Sequence, residues 1–298
     1  MPRNLAIVGG GRVGRALGRR LREEGWKIGA VTARSKASAR RATRFIGGGK
    51  AHGSLSRQVL ASPVILIATP DDAIPGVASE LARIGAEELE GKIVLHTSGA
   101  LDSTVLDPVK AHGAFTASLH PLQTFSGIGV PPFEGRVFTI EGAPAAVRVA
   151  RQIARSLGGA PMQIAPGEKA LYHAAASMAA GHALALQEAA TRLLMSTGMN
   201  RREAVRALLP LTRQVLENFE RLGPHAAWTG PLSRNDYGIV AAHFTAMQDM
   251  PAEFAGAYEA LNQLIARVLS ADPGGMLGEL EKVSAVRKTK VKASGSQV

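Results

Sequence analysis

Residues 5–18 read Leu-Ala-Ile-Val-Gly-Gly-Gly-Arg-Val-Gly-Arg-Ala-Leu-Gly, a short apolar run that enters a glycine turn and then an amphipathic helix. The glycines have the G-x-G-x-x-G spacing of a dinucleotide-binding βαβ unit. In that unit the first glycine permits a tight turn, the second lets backbone approach a pyrophosphate, and the third lets helix pack on strand. The helix N-terminus offers free N–H groups to the phosphates. The predicted pyrophosphate-binding residues are Gly9, Gly11, Arg12, Val13 and Gly14.

The segment after the second predicted strand, residues 27–32, indicates which dinucleotide is bound. An NAD site usually has Asp or Glu near the end of this strand to bind the ribose 2′-hydroxyl. Here the chain continues as Ala-Arg-Ser-Lys, with no acidic residue. The planar guanidinium of Arg34 suits a phosphate, and Ser35 adds a hydroxyl. We therefore predict NADP as the cofactor, with Arg34 and Ser35 at its 2′-phosphate; the alternative is a solvated basic loop.

The positive charge of the chain is concentrated near this site. Residues 1–57 contain 14 Lys or Arg and two Glu, a net charge of +12, whereas the whole chain has a net charge of +11. A basic region also suits nucleic acid. Only two aromatic residues, Trp26 and Phe45, occur in this region. Nucleic-acid binding therefore remains a minor alternative.

The order of predicted elements changes at Pro166. Residues 1–165 alternate strands and helices, which predicts an α/β domain with a doubly wound, parallel Rossmann sheet. Its further strands are predicted at 64–68, 93–96, 114–118, 137–141 and 162–165. Residues 166–286 contain only predicted helices, the first over 167–197, and form an all-α domain for substrate binding and dimerisation. Residues 287–298 are predicted to be a basic, disordered tail.

Composition limits the location and the chemistry. The chain has no cysteine, so we expect no disulfide, no thiolate nucleophile and no cysteine-based metal site, and we predict no bound metal. The first predicted strand begins at Leu5, so we expect no signal peptide. The longest apolar stretch, residues 174–186, is too short and too polar to span a bilayer. We therefore expect a cytoplasmic protein that does not act at a membrane.

Polar clusters follow three predicted strands, where ligands bind in open α/β sheets. Thr69, Pro70 and Asp71 follow the third long strand and are predicted to line the cofactor cleft, although Asp71 could instead cap the next helix. The remaining candidates are Ser98 for the cofactor, His96 and Gln123 for the substrate, and His120 for catalysis. For either histidine, a structural hydrogen-bonding role is the alternative.

The predicted helical domain carries two further clusters. Lys169 and His173 lie four residues apart, on one helix face that is otherwise rich in alanine. A lysine beside a carbonyl can donate a proton as hydride arrives, or can stabilise the developing alkoxide. The alternative is a surface lysine on a packed helix. Arg234, in a polar loop, could hold a substrate carboxylate through two hydrogen bonds.

Taken together, these motifs make the chain resemble the 6-phosphogluconate-dehydrogenase-like reductases. More closely, the chain resembles the family that joins a Rossmann-like domain to a C-terminal domain of unknown function. The resemblance extends to about residue 285. The residues that carry it are the glycine motif, Ala68 to Asp72, His96 to Gly99, His120 to Gln123, Lys169, Tyr172, His173 and Thr229 to Asp236.

The resemblance implies an NADP-dependent oxidoreductase that transfers hydride between NADPH and a small carbonyl substrate, such as a 2-oxo acid, bound between two domains. Related families carry Lys-x-x-x-Asn on this helix, with a catalytic lysine. Lys169 matches that lysine, but His173 replaces the asparagine, so the substrate does not transfer. Alternatives are an imine reductase of the pyrroline-5-carboxylate type and an NADP-binding sensor without turnover. The long helical domain also predicts a homodimer.

Overall fold

The protein is described by a computed structural model that covers the backbone of residues 3–294 and the side chains of residues 3–285. The chain divides into two compact units, Met1–His182 and Ala183–Val298. Each unit has its own hydrophobic core.

The first unit is built on one eight-stranded sheet. Its strands are β1 (Asn4–Val8), β2 (Lys27–Thr32), β3 (Lys50–His52), β4 (Val64–Ile67), β5 (Ile93–His96), β6 (Phe115–Pro121), β7 (Val137–Gly142) and β8 (Ala160–Gln163). The order across the sheet is β3-β2-β1-β4-β5-β6-β7-β8, and only β6 and β7 pair antiparallel. The carboxyl ends of β1 and β4 therefore flank the switch point at which open α/β sheets bind ligands. The predicted Rossmann sheet is confirmed.

Helices cover both faces of this sheet. They are α1 (Arg12–Glu23), α2 (Lys36–Ile46), α3 (Ile74–Gly85), α4 (Asp107–Lys110), α5 (Pro144–Ser156) and α6 (Lys169–Ser177). Successive strand residues point to opposite faces, so Leu5 and Ile7 join the core beneath α1, α2 and α5, whereas Ala6 and Val8 join the core beneath α3 and α4. Burial on both faces explains why β1 and β4 read as continuous apolar runs.

The second unit contains only helices among its described residues. They are α7 (Ala183–Met195), α8 (Arg201–Leu222), α9 (Pro224–Ala227), α10 (Tyr237–Ala246), α11 (Ala252–Leu269) and α12 (Pro273–Ser294). Asn200 caps α8 by accepting a hydrogen bond from the backbone N–H of Glu203, whose carboxylate accepts one from Asn200 N–H. No helix in the described chain has both the length and the hydropathy that a membrane span requires.

Several elements differ from the sequence expectations. Strand β3 was not predicted, because three residues in an edge strand give too short a pattern to recognise. The single helix predicted over 167–197 is instead α6, a π-helical turn at Met178–His182, and α7. The first compact unit continues to the end of that turn, beyond the boundary predicted at Pro166.

The predicted disordered tail also differs from the structure. Helix α12 continues to Ser294, and residues 295–298 lie outside the described chain. Residues 287–294 are mostly Lys, Arg, Ala and Val, with no Gly or Pro before Gly295, so no helix-breaking residue ends α12 earlier.

Candidate active site

The three glycines after β1 have different surroundings. Gly9 has a φ of +112°, and a Cβ there would lie 2.4 Å from the carbonyl oxygen of Ala68. A Cβ on Gly14 would lie 2.1 Å from the carbonyl oxygen of Gly9. A Cβ on Gly11 would meet only Ala68 O, at 4.0 Å. Gly9 and Gly14 therefore satisfy internal packing, whereas Gly11 leaves open space over the backbone.

The open space lies at the start of α1. Gly11 is the N-cap residue, and no side chain caps this end of the helix, so the first N–H groups are available to an anion. Thr69 follows β4 on the adjacent strand, and its buried Oγ1 has no hydrogen-bond partner in the described chain. Exposed Arg12 begins the helix, and half-buried Val13 packs on the core. These groups fit the pyrophosphate of a dinucleotide.

The two residues predicted for the 2′-phosphate differ in their availability. Arg34 is exposed and has no ion pair within the described chain. Ser35 caps α2, because its Oγ accepts a hydrogen bond from Ser38 N–H at 3.2 Å. The Ser35 hydroxyl also donates to Ser38 Oγ at 3.1 Å. Arg34 is thus free to bind an anion, whereas Ser35 already holds the start of α2.

Ser98 and Asp71 join the ends of two neighbouring strands. The Ser98 hydroxyl donates to the Asp71 carboxylate at 2.8 Å and accepts from the backbone N–H groups of Ala100 and Leu101. Asp71 is exposed and binds Ser98 rather than capping α3. The Ser98 hydroxyl is therefore fully used, while Pro70 and Asp71 stay on the surface beside the glycine turn.

His96 has a structural role, so its predicted contact with a substrate is not supported. The ring is fully buried, Nδ1 accepts from Ser98 N–H, and Nε2 donates to the carbonyl oxygen of Asp102, both at 3.2 Å. Burial, together with the charge of Lys169, lowers the pKa of His96 to about 4. The neutral ring therefore has no free nitrogen.

Lys169, the first residue of α6, is buried against the ends of β5 and β6. Its side chain is 2 % exposed, and its Nζ donates to the carbonyl oxygen of Ser98 at 2.8 Å and to Ser118 Oγ at 2.7 Å. Burial lowers the pKa of Lys169 to about 8, against the opposing effect of nearby carboxylates, first that of Glu141. Two of its three N–H donors are used, which leaves one.

Two aromatic residues on α6 meet His120 on β6. The Tyr172 hydroxyl lies 2.7 Å from His120 Nδ1, and the His173 ring packs edge-on against the His120 ring at 6.2 Å. A Cβ on Gly99 would lie 2.6 Å from His173 Cδ2 and 2.9 Å from His120 Nε2, so only glycine lets the two rings approach. Burial, with the charge of Lys169, lowers the pKa of His120 to about 3, so the ring is neutral.

Gln123 and Arg234 are the two remaining residues predicted for the substrate. Both ends of the Gln123 amide are used within its own loop, since Nε2 donates to Pro132 O and Oε1 accepts from Thr124 N–H, each at 2.8 Å. Arg234 belongs to the second unit, where it is exposed and has no ion pair in the described chain. Asp236 caps α10.

Sequence reasoning did not assign a role to three polar residues around Lys169, of which two are buried and one is half-buried. Tyr172 was quoted only as part of the family motif, and Ser118 and Glu141 were not singled out. Both lie within predicted strands, and a single polar residue there gives no sign that it faces a charged group. The contact between Ser118 and Lys169 joins residues that are 51 positions apart in the chain, so no local sequence pattern reveals it.

Two family models match the chain. A Rossmann-like domain matches residues 2–121, and DUF2520, a domain of unknown function, matches residues 136–265. This is the domain pair that the sequence motifs indicated. Among curated proteins, none matches the chain.

Solved structures share the fold along most of the chain. A Bacteroides fragilis protein, named provisionally as an NADP oxidoreductase, is 23 % identical with a TM-score of 0.70, over 88 % of this chain and 97 % of its own. An imine reductase from Pseudomonas is 16 % identical with a TM-score of 0.66, over 94 % of this chain and all of its own. A reductive aminase from Aspergillus terreus, in complex with NADPH and ethyl-5-oxohexanoate, is 20 % identical with a TM-score of 0.61, over 97 % and 95 %. The shared fold is compatible with NADP binding.

The surroundings of the glycines predict that one alanine substitution mainly weakens cofactor binding and another mainly lowers stability. Gly11→Ala places its Cβ in open space, so it should cost less than about 1 kcal/mol of unfolding free energy yet weaken NADPH binding. Gly14→Ala forces a Cβ onto the backbone of Gly9 and should cost at least about 2 kcal/mol. Urea unfolding and calorimetric NADPH titration measure both quantities. Unchanged NADPH affinity in folded Gly11→Ala would contradict the assignment of the cofactor turn.

Proposed function

We propose that the chain, which matches the models of a Rossmann-like domain and of DUF2520, is an NADP-dependent reductase acting on a small C=O or C=N compound. The observation that carries this proposal is the cluster of Lys169, Tyr172 and His120 at the carboxyl ends of β5 and β6. Ligands of open α/β sheets bind at that edge, which also contains the glycine turn.

The chain's own residues account for cofactor binding. The free N–H groups at the start of α1 bind the pyrophosphate, and Gly11 lets it approach. Arg34 binds the 2′-phosphate through its free guanidinium. Thr69, whose hydroxyl has no hydrogen-bond partner among the described residues, lines the cleft between these groups and the end of β5. The bound nicotinamide supplies the hydride.

The protonation step is assigned to Tyr172, with Lys169 behind it. Direct donation from Lys169 is disfavoured because its ammonium is 2 % exposed and makes two hydrogen bonds. Tyr172 is only half-buried, and its ring lies 5.9 Å from Lys169 Nζ. Tyr172 donates its hydroxyl proton to the substrate oxygen or nitrogen as hydride reaches the carbon. The charge of Lys169 stabilises the tyrosinate that remains, and neutral His120 orients the hydroxyl.

The neighbouring structures favour C=N substrates over the 2-oxo acid that the family motif suggested. Two of them are named as an imine reductase and a reductive aminase. We therefore place imines and amine–ketone mixtures first in a substrate panel, followed by 2-oxo acids.

Cofactor preference tests the Arg34 assignment. NADPH should bind more tightly than NADH, and Arg34→Ala should weaken NADPH binding by about 10- to 100-fold, the value of a charged hydrogen bond, without changing NADH binding. Arg136→Ala is the matched control, because Arg136 is also exposed and has no ion pair in the described chain. Calorimetric titration measures the affinity of each protein for both cofactors. Equal loss of NADPH and NADH affinity in Arg34→Ala would contradict a 2′-phosphate contact.

Turnover tests the roles of Tyr172 and Lys169. Tyr172→Phe should lower NADPH oxidation by about 100- to 10,000-fold and leave NADPH affinity intact. Because Lys169 must stay charged, the rate should fall as pH rises through about 8, and this inflection should disappear in Lys169→Met. Tyr258→Phe is the matched control, since Tyr258 also lies 2.7 Å from a histidine Nδ1, that of His243.

The outcomes separate two classes of protein. Loss of turnover in Tyr172→Phe, with Tyr258→Phe active, supports the proposed chemistry. Tight NADPH binding without oxidation by any imine, amine–ketone mixture, aldehyde or 2-oxo acid would contradict it and favour an NADP-binding sensor.

The second unit supports assembly with a second copy of the chain. Helix α8 has 22 residues but only one, Ala204, is buried. Leu211 is 63 % exposed, Phe219 57 % and Leu222 50 %, and their spacing places them, with Val215, along one face of the helix. A contiguous apolar face of this kind marks a protein interface. We infer that a second copy of the chain covers this face.

Charged substitutions on this face should produce a monomer. Leu211→Glu with Phe219→Glu should halve the mass measured by light scattering, because two charges are too costly to desolvate at an apolar interface. Arg213→Glu, on the opposite side of α8, is the matched control and should leave the mass unchanged. A monomeric wild-type protein at high concentration would contradict the dimer.

A further inference from the structure

Three buried polar residues form a row across the sheet, which we call the polar row: His96 on β5, Ser118 on β6 and Glu141 on β7. The register pairs His96 with Ser118, and Ser118 with Glu141. Residues paired in this way point to the same face of a sheet. All three are at most 1 % exposed. The row lies directly beside the Lys169 ammonium, which donates to Ser118 Oγ.

Glu141 is the member of the polar row whose burial costs the most free energy. Its Oε2 accepts a hydrogen bond from Ser103 Oγ at 2.8 Å, but its buried Oε1 has no partner in the described chain. A buried carboxylate with an unsatisfied oxygen costs several kcal/mol unless a positive charge compensates it. Burial accordingly raises the pKa of Glu141, while the charge of Lys169 opposes that rise.

Lys169 is the cation that faces this carboxylate. Its Nζ donates a hydrogen bond to Ser118 Oγ, and Ser118 is the cross-strand neighbour of Glu141. The Cβ atoms of such neighbours are about 5 Å apart. The other titratable groups facing Lys169 are the carboxyls of Asp71 and Asp102, the rings of His96 and His120, and the ring of Tyr172. Asp71 is exposed, and Asp102 binds Thr104 N–H, so Glu141 is the only fully buried carboxylate in this group.

We propose that Glu141 is a positioning residue whose buried carboxylate keeps Lys169 charged and hydrogen-bonded to Ser98 and Ser118. The consequence for catalysis rests on the proposed function, since it is the charged Lys169 that supports Tyr172. Without the carboxylate, the cost of burying the ammonium is no longer offset, and Lys169 is neutral near physiological pH. Tyr172 then loses the charge that stabilises its conjugate base.

The test measures the titration of Lys169 directly, by NMR of protein labelled with ¹³C at the lysine ε-carbons. The Lys169 signal is identified by its absence in Lys169→Arg. Glu141→Gln should lower the pKa of Lys169 by about one unit or more, the effect of removing an opposite charge at close range. Glu141→Asp, which keeps the negative charge, should leave the pKa of Lys169 close to its wild-type value. Glu134→Gln is the control, because that carboxylate pairs with Arg20 on the surface.

A milder variant guards against misfolding of Glu141→Gln. Ser103→Ala removes the hydrogen bond to Glu141 Oε2, which favours the neutral carboxyl and should also lower the pKa of Lys169. An unchanged Lys169 titration in either folded variant would overturn the proposal. The readout requires neither cofactor nor substrate. If the pKa of Lys169 falls in these variants but the wild-type protein shows no turnover, this inference stands and the proposed reductase activity fails. If the wild-type protein turns over but the pKa of Lys169 is unchanged in the variants, the activity stands and this inference fails.

Discussion

The burial of the Lys169 ammonium is the constraint on which the rest of the site depends. Two hydrogen bonds, to Ser98 O and Ser118 Oγ, attach the start of α6 to the ends of β5 and β6. This attachment brings Tyr172 and His173 to His120, since all three α6 residues lie within a little more than one helical turn. The same burial excludes the lysine from solvent and so makes compensation by a carboxylate necessary.

A second constraint is the close packing around the glycine turn. Gly9 and Gly14 are required by the backbone of β4 and of the turn itself, whereas Gly11 is required only if something approaches it. The three glycines of the motif therefore have two different roles: Gly9 and Gly14 are needed for packing, and Gly11 leaves space for a ligand. Steric fit alone explains the first two, and the third is the one that points to a function.

Local signals were enough to predict much of the fold. Helix α2 shows how such local signals act, because Ser35 caps its start and Gly47, in the left-handed conformation, ends it. Contacts between distant segments were not accessible in this way. His96 looked like a substrate residue because its position at a strand end is visible in the sequence, whereas its two backbone partners are not. Glu141 was missed because one acid in an apolar strand does not reveal the cation beside it.

A crystal structure of the protein with bound NADP⁺ would test the central claim most directly. The account predicts the pyrophosphate at the start of α1, the 2′-phosphate on Arg34, and carbon 4 of the nicotinamide facing the Tyr172 hydroxyl. A nicotinamide ring remote from Tyr172 and His120, or a pyrophosphate that does not contact the glycine turn, would contradict the account.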